Sequence, residues 1–179
     1  MLNLPNFLSI GRILSVPLIV ILLIYNHSGW ALLVFILAAI SDAVDGLLAR
    51  LLHQRTAIGA YLDPAADKLL TSSTFIALSI LKILPGWLAV IVISRDVIIC
   101  LGLVILFFTS HPLEIKPSLT SKLTTVFQLC TVIFALFFNY TSPIPIVMNF
   151  LIWGTVIMTI ISGLQYIGKG IKIFNKDTH

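Results

Sequence analysis

Charged side chains are scarce in this chain of 179 residues. Asp, Glu, Lys and Arg together make up 10% of it, whereas hydrophobic residues make up 59%. Typical soluble domains carry about 25% charged residues, so this composition excludes an ordinary soluble fold and indicates a polytopic membrane protein. The length suits one compact helical bundle without an attached soluble domain. We therefore expect residues 1–179 to form a single transmembrane domain.

Several other features are missing. Cys100 and Cys130 lie inside apolar runs at no metal-ligand spacing, so we interpret them as small core residues rather than as a disulfide. No basic stretch interleaved with aromatic residues remains outside the apolar runs, and nucleic-acid binding is not expected. The first apolar run lacks a small-residue cleavage site, which favours a retained span over a removed signal peptide. No internal repeat is evident.

Apolar stretches of the length needed to cross a bilayer, about 20 residues, occur six times. We predict transmembrane helices near residues 10–25, 30–52, 60–82, 86–109, 120–140 and 144–167. The preceding segment Asn3-Leu-Pro-Asn-Phe-Leu-Ser9 is predicted to form a short N-terminal interfacial helix. The predicted fold is therefore all-α, with six transmembrane helices in one bundle.

The basic residues separate by side of this predicted bundle. Only Lys82 falls near one face. The opposite face, shared by both termini and two loops, holds Arg12, Arg50, Arg55, Lys116, Lys122, Lys169, Lys172 and Lys176. Since cytoplasmic loops carry the excess of Lys and Arg, both termini are predicted to be cytoplasmic. The net charge of +4 is interpreted in the same way, together with attraction to anionic lipid head groups.

Four of the seven acidic residues lie between two apolar segments, at Asp42, Asp45, Asp63 and Asp67. Carboxylates at membrane depth are costly and usually face a partner inside a helix bundle. Spacings of three and four residues place each pair on one face of a helix. Because four negative charges in low dielectric repel one another, they need cations to stay ionised. The pattern predicts a site for two divalent metal ions that would clamp a diphosphate.

Neighbouring residues favour the same chemistry. Gly46 and Gly59 cost about 1 kcal/mol each in a helix relative to alanine, and their use would be close approach of a ligand to the backbone. Arg50 is placed to meet a phosphate or a nucleobase edge. For any single aspartate the simpler interpretation is a salt bridge, for example to Lys68 or Arg95. That interpretation leaves the combined pattern unexplained.

The stretch Asp42-x-x-Asp45-Gly46-x-x-Ala49-Arg50-x8-Gly59-x3-Asp63-x3-Asp67 resembles, at all eight fixed positions, the signature of the CDP-alcohol phosphatidyltransferases. Asn3-Leu-Pro-Asn6 followed by Arg12 resembles the entry segment of that family. Six spans with cytoplasmic termini is the architecture that the resemblance implies.

The resemblance implies two bound divalent metal ions, Mg²⁺ or Mn²⁺, held by the four aspartates, and Asp67 matches the position proposed as general base. It implies that the metals hold the diphosphate of CDP-diacylglycerol while an alcohol attacks the β-phosphorus and CMP leaves. It also implies a homodimer in the lipid bilayer, with the active site facing the cytoplasm, and we expect the inner (plasma) membrane of a bacterium. The positions matching the cytidine and phosphate site are Asp45, Gly46, Ala49, Arg50 and Gly59.

The acceptor alcohol has to be inferred from the other cations. Arg95 in the fourth predicted span and Lys122 at the start of the fifth are predicted to bind a phosphate-bearing acceptor. The alternatives are an internal pair of Arg95 with Asp96 or Asp67, and a snorkelling interfacial Lys122.

The sequences around Arg95 and Lys122 both resemble the branch of this family that uses glycerol-type acceptors. Where many phosphatidylglycerophosphate synthases carry Gly-Lys-x-Lys-Thr, this chain has Ser121-Lys-Leu-Thr-Thr125, and a further arginine in the fourth span is absent. Phosphatidylglycerol, the acceptor of cardiolipin synthases, is therefore slightly favoured over glycerol 3-phosphate, the acceptor of phosphatidylglycerophosphate synthases.

Two other classes also use intramembrane acids. A Mg²⁺-dependent membrane prenyltransferase would turn over a prenyl diphosphate, and an ion-coupled carrier would show potential-dependent flux without release of CMP. Membrane prenyltransferases resemble this chain less, because they have more spans and their motifs lie far apart in sequence. A carrier leaves Gly46, Gly59 and Arg50 unexplained.

Overall fold

A computed structural model describes the backbone of residues 4–51, 57–108, 119–141 and 144–176, and the side chains of residues 10–41, 66–101, 119–139, 141 and 144–168. Over these ranges the chain forms six helices and no strand, so the all-α prediction is confirmed. The helices are α1 (Leu4–Ile24), α2 (Ser28–Leu51), α3 (Ala57–Ile80), α4 (Gly86–Phe108), α5 (Leu119–Tyr140) and α6 (Pro145–Lys176).

Each predicted apolar segment coincides with one helix, and two ends differ. The helix α1 already begins at Leu4, so no separate interfacial helix precedes the first apolar run. Extending an existing helix is favourable, whereas starting a second one is costly. The helix α6 continues to Lys176, beyond the predicted end near residue 167, because no proline interrupts it after Pro145.

Two helices are long and apolar enough to cross a membrane by length and composition. Among the described residues these candidate spans are Leu119–Asn139 of α5 and Pro145–Gly168 of α6. Shorter apolar helical segments lie at Ile10–Ile24 and Ser28–Ser41.

Two helices end in the same kind of turn. Asn26 and Lys82 have φ values of 59°, in the left-handed region that non-glycine residues seldom adopt. After α1, the Asn26 and His27 amides donate to the Leu23 and Leu22 carbonyls. After α3, Lys82 and Ile83 repeat the pattern. Both turns are Schellman motifs, which satisfy carbonyls that a helix end leaves without intrahelical donors.

The first of two compact units comprises residues 1–86 and 132–144. Within it α1 packs against both α2 and α3, through fully buried side chains such as Ile19, Phe35 and Phe75. Asn139 near the end of α5 donates a hydrogen bond from Nδ2 to Ser28 Oγ at 2.5 Å. This contact joins the last part of α5 to the start of α2.

The second unit comprises residues 87–131 and 145–179. In it Trp87 in the first turn of α4 meets Trp153 in the third turn of α6, and their ring centroids lie 6.0 Å apart. The helices α5 and α6 are joined by buried hydroxyl groups. Thr131 and Thr155 share a hydrogen bond of 2.7 Å between their Oγ1 atoms, and Thr124 Oγ1 donates to the Met158 carbonyl at 2.9 Å.

Candidate functional site

The four aspartates lie on two consecutive helices. Asp42 and Asp45 belong to the second half of α2, and Asp63 and Asp67 to the first half of α3. The backbone is helical at all four positions, which is the condition under which spacings of three and four residues place both members of a pair on one helix face. The predicted nucleotide-site residues Gly46, Ala49, Arg50 and Gly59 belong to the same two helices.

Most of these side chains fall outside the described part of the protein. This applies to Asp42, Asp45, Asp63 and Arg50, and to the surroundings of Gly46, Ala49 and Gly59. In the ranges whose side chains are described, no cluster of three His, Cys, Asp or Glu side chains occurs, and only Asp67 of the four aspartates lies in those ranges. The donor set nevertheless fits Mg²⁺ or Mn²⁺ by its chemistry, because carboxylate oxygens are the hard ligands that such ions prefer.

Asp67 is half-buried on α3, between the buried side chains of Ala66 and Leu70. Its backbone carbonyl accepts a hydrogen bond of 3.0 Å from Thr71 Oγ1. One turn further along, Thr74 Oγ1 donates to the Leu70 carbonyl at 2.7 Å. In this part of the helix, threonine hydroxyl groups therefore satisfy their hydrogen bonds on the backbone of their own helix.

Arg95 lies at a junction of three helices and is 4% exposed. Its Nη1 donates to Asp96 Oδ1 at 2.8 Å in a buried ion pair. Its Nη2 donates to Ser121 Oγ of α5 at 2.8 Å and to Ser162 Oγ of α6 at 2.7 Å. An internal pair with Asp96 is one of the alternatives to acceptor binding that the sequence leaves open for Arg95. It brings no net charge into the interior, and hydrogen bonds to Ser121 and Ser162 compensate part of the cost of burying the guanidinium.

Lys122 occupies a different environment. Its side chain is exposed at the start of α5, one residue after the Ser121 that contacts Arg95. This position is compatible with a snorkelling lysine and with a cation that meets a ligand at the surface of the unit.

Sequence reasoning did not assign roles to Ser121, Ser162 and Tyr166, which surround Arg95. A signal was nevertheless present. Polar residues recur on α5 at 121, 124, 128 and 131 and on α6 at 155, 159 and 162, which are helical spacings within otherwise apolar segments. Such stripes indicate faces turned toward other protein groups rather than toward lipid.

Paired carboxylates on consecutive apolar helices are compatible with a membrane enzyme that uses divalent metal ions to act on a phosphate ester. Comparison with known families gives the more specific assignment. The profile of the CDP-alcohol phosphatidyltransferase family matches residues 2–161. The chain therefore belongs to the CDP-alcohol phosphatidyltransferase family and is an enzyme of that class, as its signature predicted. Membrane prenyltransferases and ion-coupled carriers are thereby disfavoured.

Proteins similar to this chain carry different names. A cardiolipin synthase (CMP-forming) of Streptomyces coelicolor is 38% identical over 117 residues, covering 62% of this chain and 54% of that protein, so the match spans about half of that relative's length. A probable phosphatidylglycerophosphate synthase of Mycobacterium tuberculosis is 32% identical, covering 95% of this chain and 82% of that protein. The CDP-diacylglycerol–glycerol-3-phosphate 3-phosphatidyltransferase of Bacillus subtilis is 30% identical, covering 94% and 95%.

Proposed function

We propose that this chain is an integral membrane phosphatidyltransferase of anionic phospholipid synthesis. It would move the phosphatidyl group of CDP-diacylglycerol to a glycerol-type acceptor and release CMP. The complete eight-position signature carries this proposal, supported by the family match over residues 2–161 and by the names of the relatives. We further propose that all six helices span the bilayer as one domain that forms a homodimer, with the site facing the cytoplasm of a bacterial inner membrane.

In the proposed reaction the hydroxyl oxygen of the acceptor attacks the β-phosphorus of CDP-diacylglycerol. A new phosphorus–oxygen bond forms, the bond to the CMP oxygen breaks, and the hydroxyl proton passes to the Asp67 carboxylate. A positioned carboxylate of this kind contributes about 10²–10⁴-fold to a rate. Arg50, with Asp45, Gly46, Ala49 and Gly59, would hold the cytidine and phosphate groups.

The proposed cofactor is a pair of divalent ions, Mg²⁺ or Mn²⁺, held by Asp42, Asp45, Asp63 and Asp67. When bound, such ions supply positive charge to a diphosphate and to the oxygens of a displacement at phosphorus. The four carboxylates, two from the second half of α2 and two from the first half of α3, would hold these ions.

We propose phosphatidylglycerol as the favoured acceptor, which would make the chain a cardiolipin synthase, with Arg95 and Lys122 as acceptor-binding residues. The supporting observation is that Arg95 is neutralised by Asp96. A neutral pair suits a phosphodiester with one negative charge better than a phosphomonoester with nearly two. The second candidate acceptor is glycerol 3-phosphate, favoured by the two synthases that match over 94–95% of this chain.

The test is a product analysis with purified protein in lipid nanodiscs, CDP-diacylglycerol, and both acceptors offered together. Cardiolipin and CMP are the expected products, and phosphatidylglycerophosphate would reverse the choice of acceptor. Asp67→Asn is expected to lower turnover at least about 100-fold, and a chelator is expected to abolish it until Mg²⁺ or Mn²⁺ is restored. Asp177→Asn, which removes an acid outside the signature, is the matched control. Turnover retained in Asp67→Asn would contradict the proposed mechanism.

A further inference from the structure

The environment of Arg95 extends over one face of α6. Ser162 accepts a hydrogen bond from Nη2, and the Tyr166 ring centroid lies 6.0 Å from Arg95 Cζ. Between them, a Cβ placed on Gly163 would lie 3.7 Å from Arg95 Cγ, an ordinary van der Waals contact. The aliphatic part and the guanidinium group of Arg95 therefore both lie against α6.

The contacts of Arg95 use only some of the hydrogen-bond donors of its guanidinium group. An arginine has five N–H donors in a fixed planar geometry. Both donors of Nη2 are used by the two serine hydroxyls, and one donor of Nη1 is used by Asp96. Of the two remaining donors, one on Nη1 and one on Nε, the Nε–H is buried and has no acceptor among the described residues. A buried donor on a charged group without an acceptor is costly, so this atom indicates a ligand oxygen.

We propose that Ser121 and Ser162 are positioning residues, which hold the guanidinium of Arg95 so that its Nε–H is directed to a phosphate oxygen of the acceptor. This inference rests on the proposed function, in which Arg95 binds the acceptor. Arginine side chains have many rotamers, and fixing one before the ligand arrives removes an entropic cost from binding. The two serines fix the rotamer from two different helices without adding charge, so the pair with Asp96 stays neutral.

The test is a comparison of kinetic constants for single-hydroxyl deletions. Ser162→Ala and Ser121→Ala are each expected to raise the acceptor KM about three- to tenfold, with kcat and the KM of CDP-diacylglycerol changed less than about twofold. Ser121→Thr, which keeps the hydroxyl group at a half-buried position, is expected to restore the acceptor KM. Thr159→Val is the matched control, because Thr159 is equally buried on α6 and its hydroxyl group makes no hydrogen bond to Arg95.

The outcomes separate this inference from the proposed function. If the wild type releases no CMP, or if Arg95→Gln and Arg95→Lys leave the acceptor KM unchanged, the proposed function or its acceptor site is wrong. If the Arg95 variants raise the acceptor KM and both serine variants match Thr159→Val, the positioning role is wrong and the proposed function stands. A loss of kcat and thermal stability in parallel, without a selective rise in acceptor KM, would also overturn the positioning role.

Discussion

At the scale of single residues, Gln128 is a buried amide without a hydrogen-bond partner among the described residues. It lies on α5 with 0% exposure, and neither Oε1 nor Nε2 has a hydrogen-bond partner in the described part of the chain. An amide buried without partners loses its hydrogen bonds to water and gains nothing in return. The polar stripe of α5 therefore contains one member that does not contribute to stability through hydrogen bonding.

Replacing this amide gives a stability prediction. Gln128→Leu, which is apolar and of similar size, is expected to stabilise the fold by about 1–3 kcal/mol, measured as a higher unfolding temperature in detergent. The control is Gln165→Leu on α6, where the side chain is exposed and its Oε1 accepts from Thr120 Oγ1 at 2.6 Å. That variant is expected to show no gain. A lower unfolding temperature for Gln128→Leu would show that the amide has a partner in the folded protein.

At the scale of helices, α6 packs tightly against Phe127 of α5 at Gly154. A Cβ built on this residue would lie 2.6 Å from Phe127 Cε1 and 2.9 Å from Cδ1, closer than carbon atoms approach without repulsion. A small residue here lets the two helices pack at short range, as in many membrane helix pairs.

Gly154→Ala is therefore expected to destabilise the α5–α6 pair by about 1–3 kcal/mol, because Phe127 or the helix must shift. Gly168→Ala on the same helix is the control, since nothing lies within 4 Å of its added methyl group. It should be neutral or slightly stabilising, because alanine favours the helix. The measurement is the unfolding temperature of both variants, with Phe127→Leu added to Gly154→Ala as the expected rescue. Equal stability of the two alanine variants would mean that the ring moves aside freely.

The positions of the helices along the chain could be predicted from the sequence, whereas the contacts between helices could not. Asn26 to Gly29 and Pro85-Gly86 interrupt long apolar runs, and the helices end or begin there as predicted. The contact between Arg95 and Ser162 spans 67 positions and depends on how far each helix is rotated and raised. The length of an apolar segment does not determine the rotation of its helix or the shift of the helix along its axis. Sequence could indicate only that a buried arginine needs partners, and it offered Asp96 as one of them.

At the scale of the whole molecule, the family could be predicted because chemistry fixes residue types and spacings at the site. Eight positions between Asp42 and Asp67 were enough for that assignment, and the family match confirms it. The acceptor could not be chosen in the same way. Its recognition is proposed to depend on a few cations such as Lys122, and one exposed lysine is compatible with more than one role.

The proposed topology can be checked by labelling in intact cells. In a variant in which Cys100 and Cys130 are replaced by alanine, Asn26→Cys in the exposed turn after α1 is expected to react with a membrane-impermeant maleimide. His179→Cys at the C-terminus should react only after permeabilisation, because an excess of Lys and Arg marks the cytoplasmic side. Labelling of both positions from the same side would contradict six spans with cytoplasmic termini.

The threonine pair after Asp67 has a mechanical consequence. Thr71 and Thr74 donate to the carbonyls of Asp67 and Leu70, which in a helix also accept the amide hydrogens four residues later. Sharing an acceptor in this way weakens the axial hydrogen bonds and bends a helix locally. The two shared acceptors place the weaker axial hydrogen bonds of α3 at Asp67 and Leu70, so a local bend of this helix is expected directly after the last aspartate of the signature.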